Sequence, residues 1–177
     1  MCGVVGFNWE DDRQIRAVTR LLQHRGPEQE GFHVGDGVSL GHKRLCILDL
    51  SENGRQPIYN EDRTISIIYN GEIFNFEDLR RTLEAEGHRF RSRTDTEVLV
   101  HGYEQWGVGL LEKINGQFAF CIFDRPQNRL LLARDRLGIK PLYYCESKGR
   151  FLFGSELKVF LHSDIEKTVC PEALHYY

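Results

Sequence analysis

The sequence lacks any long apolar run. No segment approaches the roughly 20 apolar residues that a helix needs to cross a bilayer, so neither a membrane span nor a membrane partner is expected. The amino terminus also lacks the basic region of a secretory signal peptide, and its short apolar stretch soon meets an acidic run at residues 10–12. These two absences predict a cytoplasmic protein.

Paired cysteines and metal-binding motifs are also missing. The five cysteines are an odd number and none has CxxC spacing, so we expect reduced thiols rather than disulfides. The seven histidines form neither an HExxH motif nor a Cys/His cluster, and we therefore expect no metal site. Cys46, Cys121 and Cys145 each stand in an apolar run, which favours small buried core residues.

The chain also lacks a large excess of charge of either sign. The net charge is −3 and no block of like charges occurs, so the sequence favours no nucleic-acid partner. A chain of 177 residues with 41% hydrophobic residues is long enough to form one globular domain with its own core. The composition leaves the oligomeric state open, with a homodimer among the options.

Local patterns predict many short strands and a few helices. Strands are expected at residues 4–7, 31–34, 38–41, 65–69, 118–123, 130–133, 142–145 and 151–153, and residues 51–60 are expected to form a loop. Helices are expected over residues 15–22, 75–87 and 157–161, and a further helical turn over 171–177. Thr94 and Glu97 have the spacing of a capping box that opens one more helix, which ends at Gly107. This succession predicts an α+β fold built on antiparallel sheets.

Cys2 directly follows the initiating Met1. A cytosolic aminopeptidase is expected to remove Met1, because the next side chain is small. The free α-amine of Cys2 would then have a pKa of about 7.7–8.0 and could take the proton of its own thiol. Such a residue can be a nucleophile without a separate histidine, although a cysteine at position 2 is by itself more often inert.

Five further residues offer what attack on a carboxamide needs. Asn70 and Gly71 follow a predicted strand and could donate N–H groups to an oxyanion, although Asn-Gly is also the commonest hairpin turn. Arg44 could bind the α-carboxylate of an amino acid substrate, and Asp95 or Glu72 its α-ammonium. Alternatively, Arg44 is a solvated surface charge and Asp95 caps a helix.

Eight motifs, in order along the chain, give a recognisable pattern. They are Cys2-Gly3-Val4-Val5-Gly6, His24-Arg25-Gly26-Pro27-Glu28, Gly41-His42-Lys43-Arg44-Leu45-Cys46-Ile47, Asn70-Gly71-Glu72-Ile73-Phe74-Asn75, Thr94-Asp95-Thr96-Glu97-Val98, Phe118-Ala119-Phe120, Ala133-Arg134-Asp135-Arg136-Leu137-Gly138-Ile139-Lys140-Pro141-Leu142-Tyr143-Tyr144 and Gly154-Ser155-Glu156-Leu157-Lys158. With these motifs the chain resembles the class II glutamine amidotransferase domain of glutamine-hydrolysing asparagine synthetases. Pro27 and the stretch at 70–73 favour this branch over the related domains of glucosamine-phosphate synthase and glutamine phosphoribosylpyrophosphate amidotransferase.

The resemblance implies a fold and a set of roles. The fold is the four-layer αββα sandwich of the N-terminal nucleophile hydrolases, with two antiparallel sheets flanked by helices, over residues 2–162. Cys2 matches the nucleophile, and Asn70 with the Gly71 N–H matches the oxyanion hole. The residues that match glutamine contacts are Arg44, Ile47, Glu72 and Asp95. The expected reaction is hydrolysis of L-glutamine to glutamate and ammonia through a Cys2 thioester.

Two motifs have no assigned chemistry. The stretch at 134–144 is expected to be structural, since its glycine and proline suit a sharp connection between strands. His24 lies at a helix end, where the motif at 24–27 is expected to shape the site rather than to supply a base.

The resemblance also implies a partner domain. Asparagine synthetases carry a C-terminal synthetase domain that uses ATP and Mg²⁺, and its Ser-Gly-Gly-x-Asp-Ser loop does not occur in these 177 residues. We therefore expect no cofactor in this chain, and residues 163–177 to begin a connection to that domain, which would accept the ammonia. The alternatives are a glutaminase that serves another acceptor, and an inactive regulatory or binding module if Met1 is retained.

Overall fold

The computed structural model describes residues 1–163, 167–168 and 170–175 of the chain. The strands of this part are β1 (Gly3–Phe7), β2 (Gln29–Gly35), β3 (Val38–Arg44), β4 (Ile58–Tyr59), β5 (Ile65–Ile73), β6 (Gly116–Asp124), β7 (Arg129–Arg134), β8 (Tyr143–Ser147) and β9 (Arg150–Gly154). The α-helices are α1 (Asp12–Arg20), α2 (Phe76–Ala85), α3 (Asp95–Trp106), α4 (Leu110–Lys113), α5 (Lys158–Leu161) and α6 (Pro171–His175).

The strands form two sheets in which every neighbouring pair is antiparallel. The first sheet has the order β2-β3-β1-β9-β8 and the second the order β4-β5-β6-β7. Tight turns join the sequential neighbours, and Asp36 and Gly37 adopt positive φ angles of 54° and 76° between β2 and β3. The predicted antiparallel α+β sandwich is confirmed.

Side-chain alternation along the strands divides the core into layers. Val4 and Ile68 face the space between the two sheets, where they belong to one apolar cluster. Val5, one residue along β1, packs instead with α1, and Ile67 of β5 packs with α2 and α3. The described part therefore has helices outside two face-to-face sheets, which gives the four layers.

The amino-terminal strand lies at the centre of the first sheet. β1 pairs with β3 on one side and with β9 on the other, and β9 is more than a hundred residues away in sequence. Ser155 extends this second pairing, because its hydroxyl accepts from the Val4 N–H at 3.0 Å and its own N–H donates to the Val4 carbonyl at 2.9 Å. Long-range pairing therefore fixes the position of Cys2.

Some local predictions were wrong in detail. Asn70-Gly71 forms no turn, since β5 continues through both residues to Ile73. Thr94 precedes α3 as predicted, but it makes no side-chain capping bond, and the Glu97 carboxylate accepts instead from the N–H groups of Arg91 and Ser92. The predicted loop at 51–60 contains the short strand β4. Of the three cysteines expected in the core, Cys121 is buried, whereas Cys46 and Cys145 are only partly buried.

The carboxy-terminal helical turn is confirmed over Pro171–His175, and residues 176–177 of that prediction lie outside the described residues. The division into a domain at 2–162 and a connection from 163 stays a prediction. Within the described ranges, no helix has the length and apolar character that crossing a membrane requires.

Candidate active site

One cavity at the end of the sandwich collects all seven residues that the sequence singled out. It has a volume of about 130 Å³, and among its lining residues are Cys2, Arg44, Ile47, Asn70, Gly71, Glu72 and Asp95. Its wall is contributed by the residues just before β1, the end of β3 and its following loop, the second half of β5, and the first turn of α3. The residues thus share one site, while their individual roles stay predictions.

Cys2 precedes β1, and strand alternation turns its side chain to the same side as Val4, between the sheets. Its Sγ lies 3.8 Å from the carbonyl oxygen of Leu45. Burial raises the pKa of the Cys2 thiol, and the positive charges of the amino terminus and Arg44 oppose this rise only in part. A thiol in this environment needs a base to become a nucleophile.

The His-Arg-Gly motif holds the amino terminus in place. Arg25 donates from Nε to the Cys2 carbonyl at 2.9 Å, and its Nη1 lies 3.1 Å from Glu156. His24 contacts the same carboxylate at 2.7 Å. Gly26 leaves room for the backbone of β3, because a Cβ there would lie 2.5 Å from backbone atoms of Arg44. The motif therefore contacts the backbone at Cys2 and at Arg44, while the expectation that His24 is not the base stays a prediction.

Asn70 offers an unused donor. It is 1% exposed, and among the residues the structure describes its Nδ2 has no hydrogen-bond partner. A buried amide group without a partner is costly, so such a group usually has a functional explanation. Asn70 has the same parity in β5 as Ile68, which turns its side chain to the space between the sheets where Cys2 lies.

Gly71 directs its N–H to the free edge of β5. The N–H groups of Tyr69 and Ile73 point away from β6, since they donate to Gln56 Oε1 at 2.6 Å and to Asp95 Oδ2 at 2.9 Å. Backbone N–H groups alternate along a strand, so that of Gly71 points to the same edge, between these two. A Cβ at Gly71 would lie 2.4 Å from a carbonyl oxygen of β6, which explains why glycine is needed.

Arg44 is buried, and its terminal nitrogens bind a loop. Nη1 donates to Gln29 Oε1 at 2.7 Å, and Nη2 donates to the carbonyl oxygens of Leu48 and Asp49 at 2.7 and 2.6 Å. These bonds hold the loop that places Ile47, three-quarters exposed, at the rim of the cavity. Arg44 is thus not a solvated surface charge, and its binding of a substrate carboxylate stays a prediction.

Two carboxylates provide negative charge at the opposite wall. Asp95 is buried, its Oδ2 accepts from the Tyr69 hydroxyl at 2.6 Å as well as from Ile73, and burial raises its pKa. Glu72 is exposed at the rim. Asp95 is therefore held by β5. The alternative that Asp95 caps α3 is wrong, because no side-chain capping bond forms at the start of that helix.

Sequence reasoning missed several lining residues, among them Gln56, Tyr69, Thr94, Thr96 and Lys140. Gln56 joins two walls, since its Oε1 accepts from the Tyr69 N–H and its Nε2 donates to Thr96 at 3.3 Å. Its position in a polar, irregular segment gave no signal for this. Lys140 belongs to a motif that the sequence did identify, but only as structural.

The connection at 134–140 is ordered by its own polar groups. The Asp135 carboxylate accepts four backbone N–H bonds, including one from Lys140 at 3.0 Å, and Arg134 donates to the carbonyl oxygens of Gly138 and Lys140 at 2.6 and 2.7 Å. Burial acts to raise the pKa of Asp135, but these N–H bonds outweigh it and hold the pKa below its ordinary value. These bonds fix the backbone at Lys140, which lines the cavity.

Comparison with known proteins identifies the fold and the family. A family model described as a glutamine amidotransferase domain matches residues 1–177. The chain is 44% identical to asparagine synthetase [glutamine-hydrolyzing] 3 of Bacillus subtilis, where the match covers 96% of this chain and 29% of that protein. A putative asparagine synthetase of Methanocaldococcus jannaschii is 39% identical, with 91% of this chain and 35% of that protein covered. The chain thus spans about a third or less of these relatives.

Solved structures agree with the fold. The glutamine phosphoribosylpyrophosphate amidotransferase of B. subtilis superposes with a TM-score of 0.76 at 24% identity, covering 90% of this chain and 43% of that one. Two antiparallel sheets with flanking helices are therefore the N-terminal nucleophile hydrolase sandwich. The family match over the whole length shows that the chain belongs to the glutamine amidotransferase domain family. Within that family it is similar to the glutamine-hydrolysing asparagine synthetases.

Proposed function

We propose that this chain hydrolyses L-glutamine to glutamate and ammonia, with Cys2 as the nucleophile. The observation that carries the proposal is the buried, unpartnered Nδ2 of Asn70 in the cavity that also holds the Cys2 thiol. A donor without an acceptor beside a thiol is what a developing oxyanion requires.

The first step is attack on the carboxamide. In the structure Met1 precedes Cys2, so the reaction starts after Met1 is removed and the Cys2 nitrogen becomes a free amine. This amine takes the thiol proton, and the sulfur forms a bond to the carboxamide carbon of glutamine. The carbonyl oxygen becomes an oxyanion, which accepts from Asn70 Nδ2 and the Gly71 N–H.

The second step releases ammonia. The tetrahedral intermediate collapses, the C–N bond breaks, and the α-ammonium of Cys2 gives its proton to the leaving nitrogen. The product at this stage is a γ-glutamyl thioester of Cys2. The amine then takes a proton from water, hydroxide adds to the thioester carbon, and the C–S bond breaks to give glutamate and the free thiol.

The amino acid end of glutamine is recognised by charge. Asp95 and Glu72 face the α-ammonium, and Arg44 faces the α-carboxylate, with the Ile47 backbone as a further contact. Asp95 is positioned for this by its bonds to Tyr69 and Ile73, which leave Oδ1 for the substrate. Lys140 adds a second cation to the same cavity.

The ammonia acceptor lies outside these 177 residues. Because the relatives are named asparagine synthetases and extend well beyond the matched part, we place the chain as the glutaminase part of such an enzyme in the cytoplasm. ATP and Mg²⁺ would then act only in a synthetase domain. The isolated chain should release ammonia to solvent.

The test is intact mass of the purified chain before and after treatment with 6-diazo-5-oxo-norleucine, a glutamine analogue that alkylates nucleophiles. Cys2→Ala is the matched variant, and Cys170→Ala, which removes an exposed thiol far along the chain, is the control. We expect loss of Met1 and one adduct in the wild type and in Cys170→Ala, and none in Cys2→Ala.

A retained Met1, or a Met-free chain whose adduct does not depend on Cys2, would overturn the proposal and favour an inactive binding module. Glutaminase assays distinguish the acceptors. Ammonia release by a longer form that responds to ATP and aspartate supports the asparagine synthetase assignment, whereas indifference to both favours another acceptor.

A further inference from the structure

Four ligand-type side chains converge beside the second half of α3, outside the glutamine cavity. They are Glu61 in the turn between β4 and β5, His88 after α2, and His101 and Glu104 one turn apart on α3. One ligand atom from each lies within 4.8 Å of all the others. The spacing in sequence follows no motif, because three separate elements contribute, and this is why the sequence predicts no metal site.

Two of the four shortest histidine–carboxylate distances between these side chains lie in the range expected for neighbouring ligands of one tetrahedral zinc ion, and the other two are slightly longer. His101 Nδ1 lies 3.3 Å from Glu61 Oε2 and 3.7 Å from Glu104 Oε2. His88 Nδ1 lies 3.6 Å from Glu104 Oε2 and 3.8 Å from Glu61 Oε1. Zinc bonds to nitrogen and oxygen are about 2.0–2.2 Å long, which puts neighbouring ligand atoms of a tetrahedron about 3.3–3.6 Å apart.

His101 points to a ligand independently of this geometry. Its side chain is 1% exposed, and neither ring nitrogen has a hydrogen-bond partner among the described residues. Nδ1 faces carboxylate oxygens of Glu61 and Glu104 at 3.3 and 3.7 Å without forming a hydrogen bond to either, an arrangement suited to a shared cation. A buried imidazole without a partner is costly, and a metal ion would satisfy it.

The other ring nitrogens are arranged as in metal-binding histidines. His88 Nε2 lies 3.2 Å from the Gln105 side-chain oxygen, an acceptor only, so Nε2 carries the proton and Nδ1 presents a lone pair. His101 Nε2 faces the Glu97 carboxylate at 3.6 Å. Histidines that bind metals generally direct the second nitrogen to a carboxylate or carbonyl oxygen.

Each ligand carboxylate is held by one oxygen and keeps another available. Glu61 Oε1 accepts from the Arg89 N–H at 2.9 Å, and Glu104 Oε1 accepts from Asn60 at 3.1 Å. The side chains of Glu61 and Glu104 are about one-third exposed, so an ion can enter from solvent.

We propose that Glu61, His88, His101 and Glu104 form a zinc site. A set of two imidazoles and two carboxylates suits four-coordinate Zn²⁺, or Co²⁺ as its spectroscopic substitute, better than Mg²⁺ or Ca²⁺, which take six or more oxygen ligands. The ion would fasten α3 to two loops. Since the first turn of α3 lines the glutamine cavity, the site is structural support for that wall.

The experiment uses the chain without a histidine tag, stripped with a chelator and titrated with Co²⁺ and then Zn²⁺. We expect one equivalent of Co²⁺ to give the visible bands of a tetrahedral site, to be displaced by Zn²⁺, and to show no thiolate-to-cobalt charge transfer. Zn²⁺ should raise the thermal unfolding midpoint by on the order of 5 °C.

Glu104→Gln is the decisive variant, because it keeps the oxygen that accepts from Asn60 and the volume of the side chain. Its affinity for Co²⁺ should fall at least about tenfold, and that of His88→Ala should fall by a similar factor. Both variants should keep the circular dichroism spectrum of the wild type. His162→Ala removes an exposed histidine elsewhere and should bind as the wild type does.

Equal binding by wild type and Glu104→Gln, thiolate charge transfer, or no saturable binding at micromolar Co²⁺ would overturn the proposal. The cluster would then be a network of histidine–carboxylate ion pairs. Since no readout involves glutamine, the result does not depend on the proposed glutaminase activity.

Discussion

At the scale of single residues, the sequence around Asn70 suggests one local structure and the fold gives it another. Beside Gly71 it has the local pattern of a hairpin turn, but pairing with β6 keeps both residues inside a nine-residue strand. The strand presents the amide of Asn70 to the interior and the N–H of Gly71 to the free edge. Two donors from adjacent residues can therefore meet the same oxygen atom.

Asn70→Ala should lower kcat for glutamine hydrolysis by about 10²–10³ while KM changes little, because the lost N–H serves only the oxyanion. Folding should be preserved, since Nδ2 has no partner among the described residues. Steady-state ammonia release measures the effect. Asn115→Ala, which truncates an exposed asparagine outside the cavity, is the control. A change in KM alone, with kcat unaltered, would contradict the assignment of Asn70 to the oxyanion hole.

His42 is buried between the sheets, where its Nε2 donates to the Tyr69 carbonyl at 2.9 Å. Burial lowers its pKa to about 3 from an ordinary value of 6.5. Between these values the unfolded chain binds a proton that the folded chain does not. The free energy of unfolding should therefore fall as pH is lowered through this window, by at most about 1.4 kcal/mol per pH unit from this residue.

His42→Gln tests this contribution, because an amide N–H can still reach the Tyr69 carbonyl but does not titrate. Urea unfolding at pH values between 6.5 and 4 should show a shallower decline for the variant than for the wild type. Parallel declines would mean that other groups, such as the acidic side chains, carry the acid sensitivity.

At the scale of elements, the loop that precedes β2 and the end of β3 are in direct backbone contact at Gly26. A Cβ there would approach backbone atoms of Lys43 and Arg44 to 2.5 Å. Backbone atoms cannot move aside as the end of a flexible side chain can. The same contact orients Arg44 and, through Arg25, the carbonyl of Cys2. A small change in this loop should therefore reach two walls of the cavity.

Gly26→Ala should reduce the free energy of unfolding by about 1–3 kcal/mol and lower glutaminase activity in the protein that remains folded. Gly109→Ala is the matched control, since its Cβ would meet open space at φ −63°. It should leave stability unchanged or raise it by up to about 1 kcal/mol. Equal effects of the two substitutions would contradict the backbone-contact explanation.

Most elements could be predicted from the sequence because their patterns are local. Alternation around Ile65 and Ile67, glycines after helices, and the turn at 35–37 each report on a few neighbouring residues. Gln56 and Lys140 could not be assigned to the site in this way, because loops bring them to it from distant parts of the chain. Thr94 and Glu97 have capping-box spacing, yet the Glu97 carboxylate accepts from the Arg91 N–H and the Ser92 hydroxyl in the segment just before the helix.

For the whole molecule, the apolar layer between the two sheets is the shared core. Ile68 lies fully buried there, in the same cluster as Val4 and Phe153 of the other sheet. The sheet order that creates this layer follows from pairing between the ends of the chain, and residue patterns alone did not reveal it. The resemblance to a family implied two packed antiparallel sheets but not the order of their strands.

Ile68→Ala should lower the free energy of unfolding by about 2–5 kcal/mol, since it removes apolar contacts and leaves a cavity between the sheets. Ile139→Ala, at a side chain that is half-exposed, should change it by less than about 0.5 kcal/mol. Urea denaturation with both variants measures the difference. A small loss for Ile68→Ala would mean that the sheets can close the gap.

The central position of β1 has a consequence for biosynthesis. β1 is synthesised well before its partner β9, and this pairing can form only when the chain has grown past Gly154. At about 5–20 residues per second, this leaves the amino terminus without its final neighbour for roughly 8–30 s of translation. During this time β1 can pair with β3 alone, since β3 ends at Arg44. The removal of Met1 that the proposed function requires would then take place before β9 completes the sheet around β1.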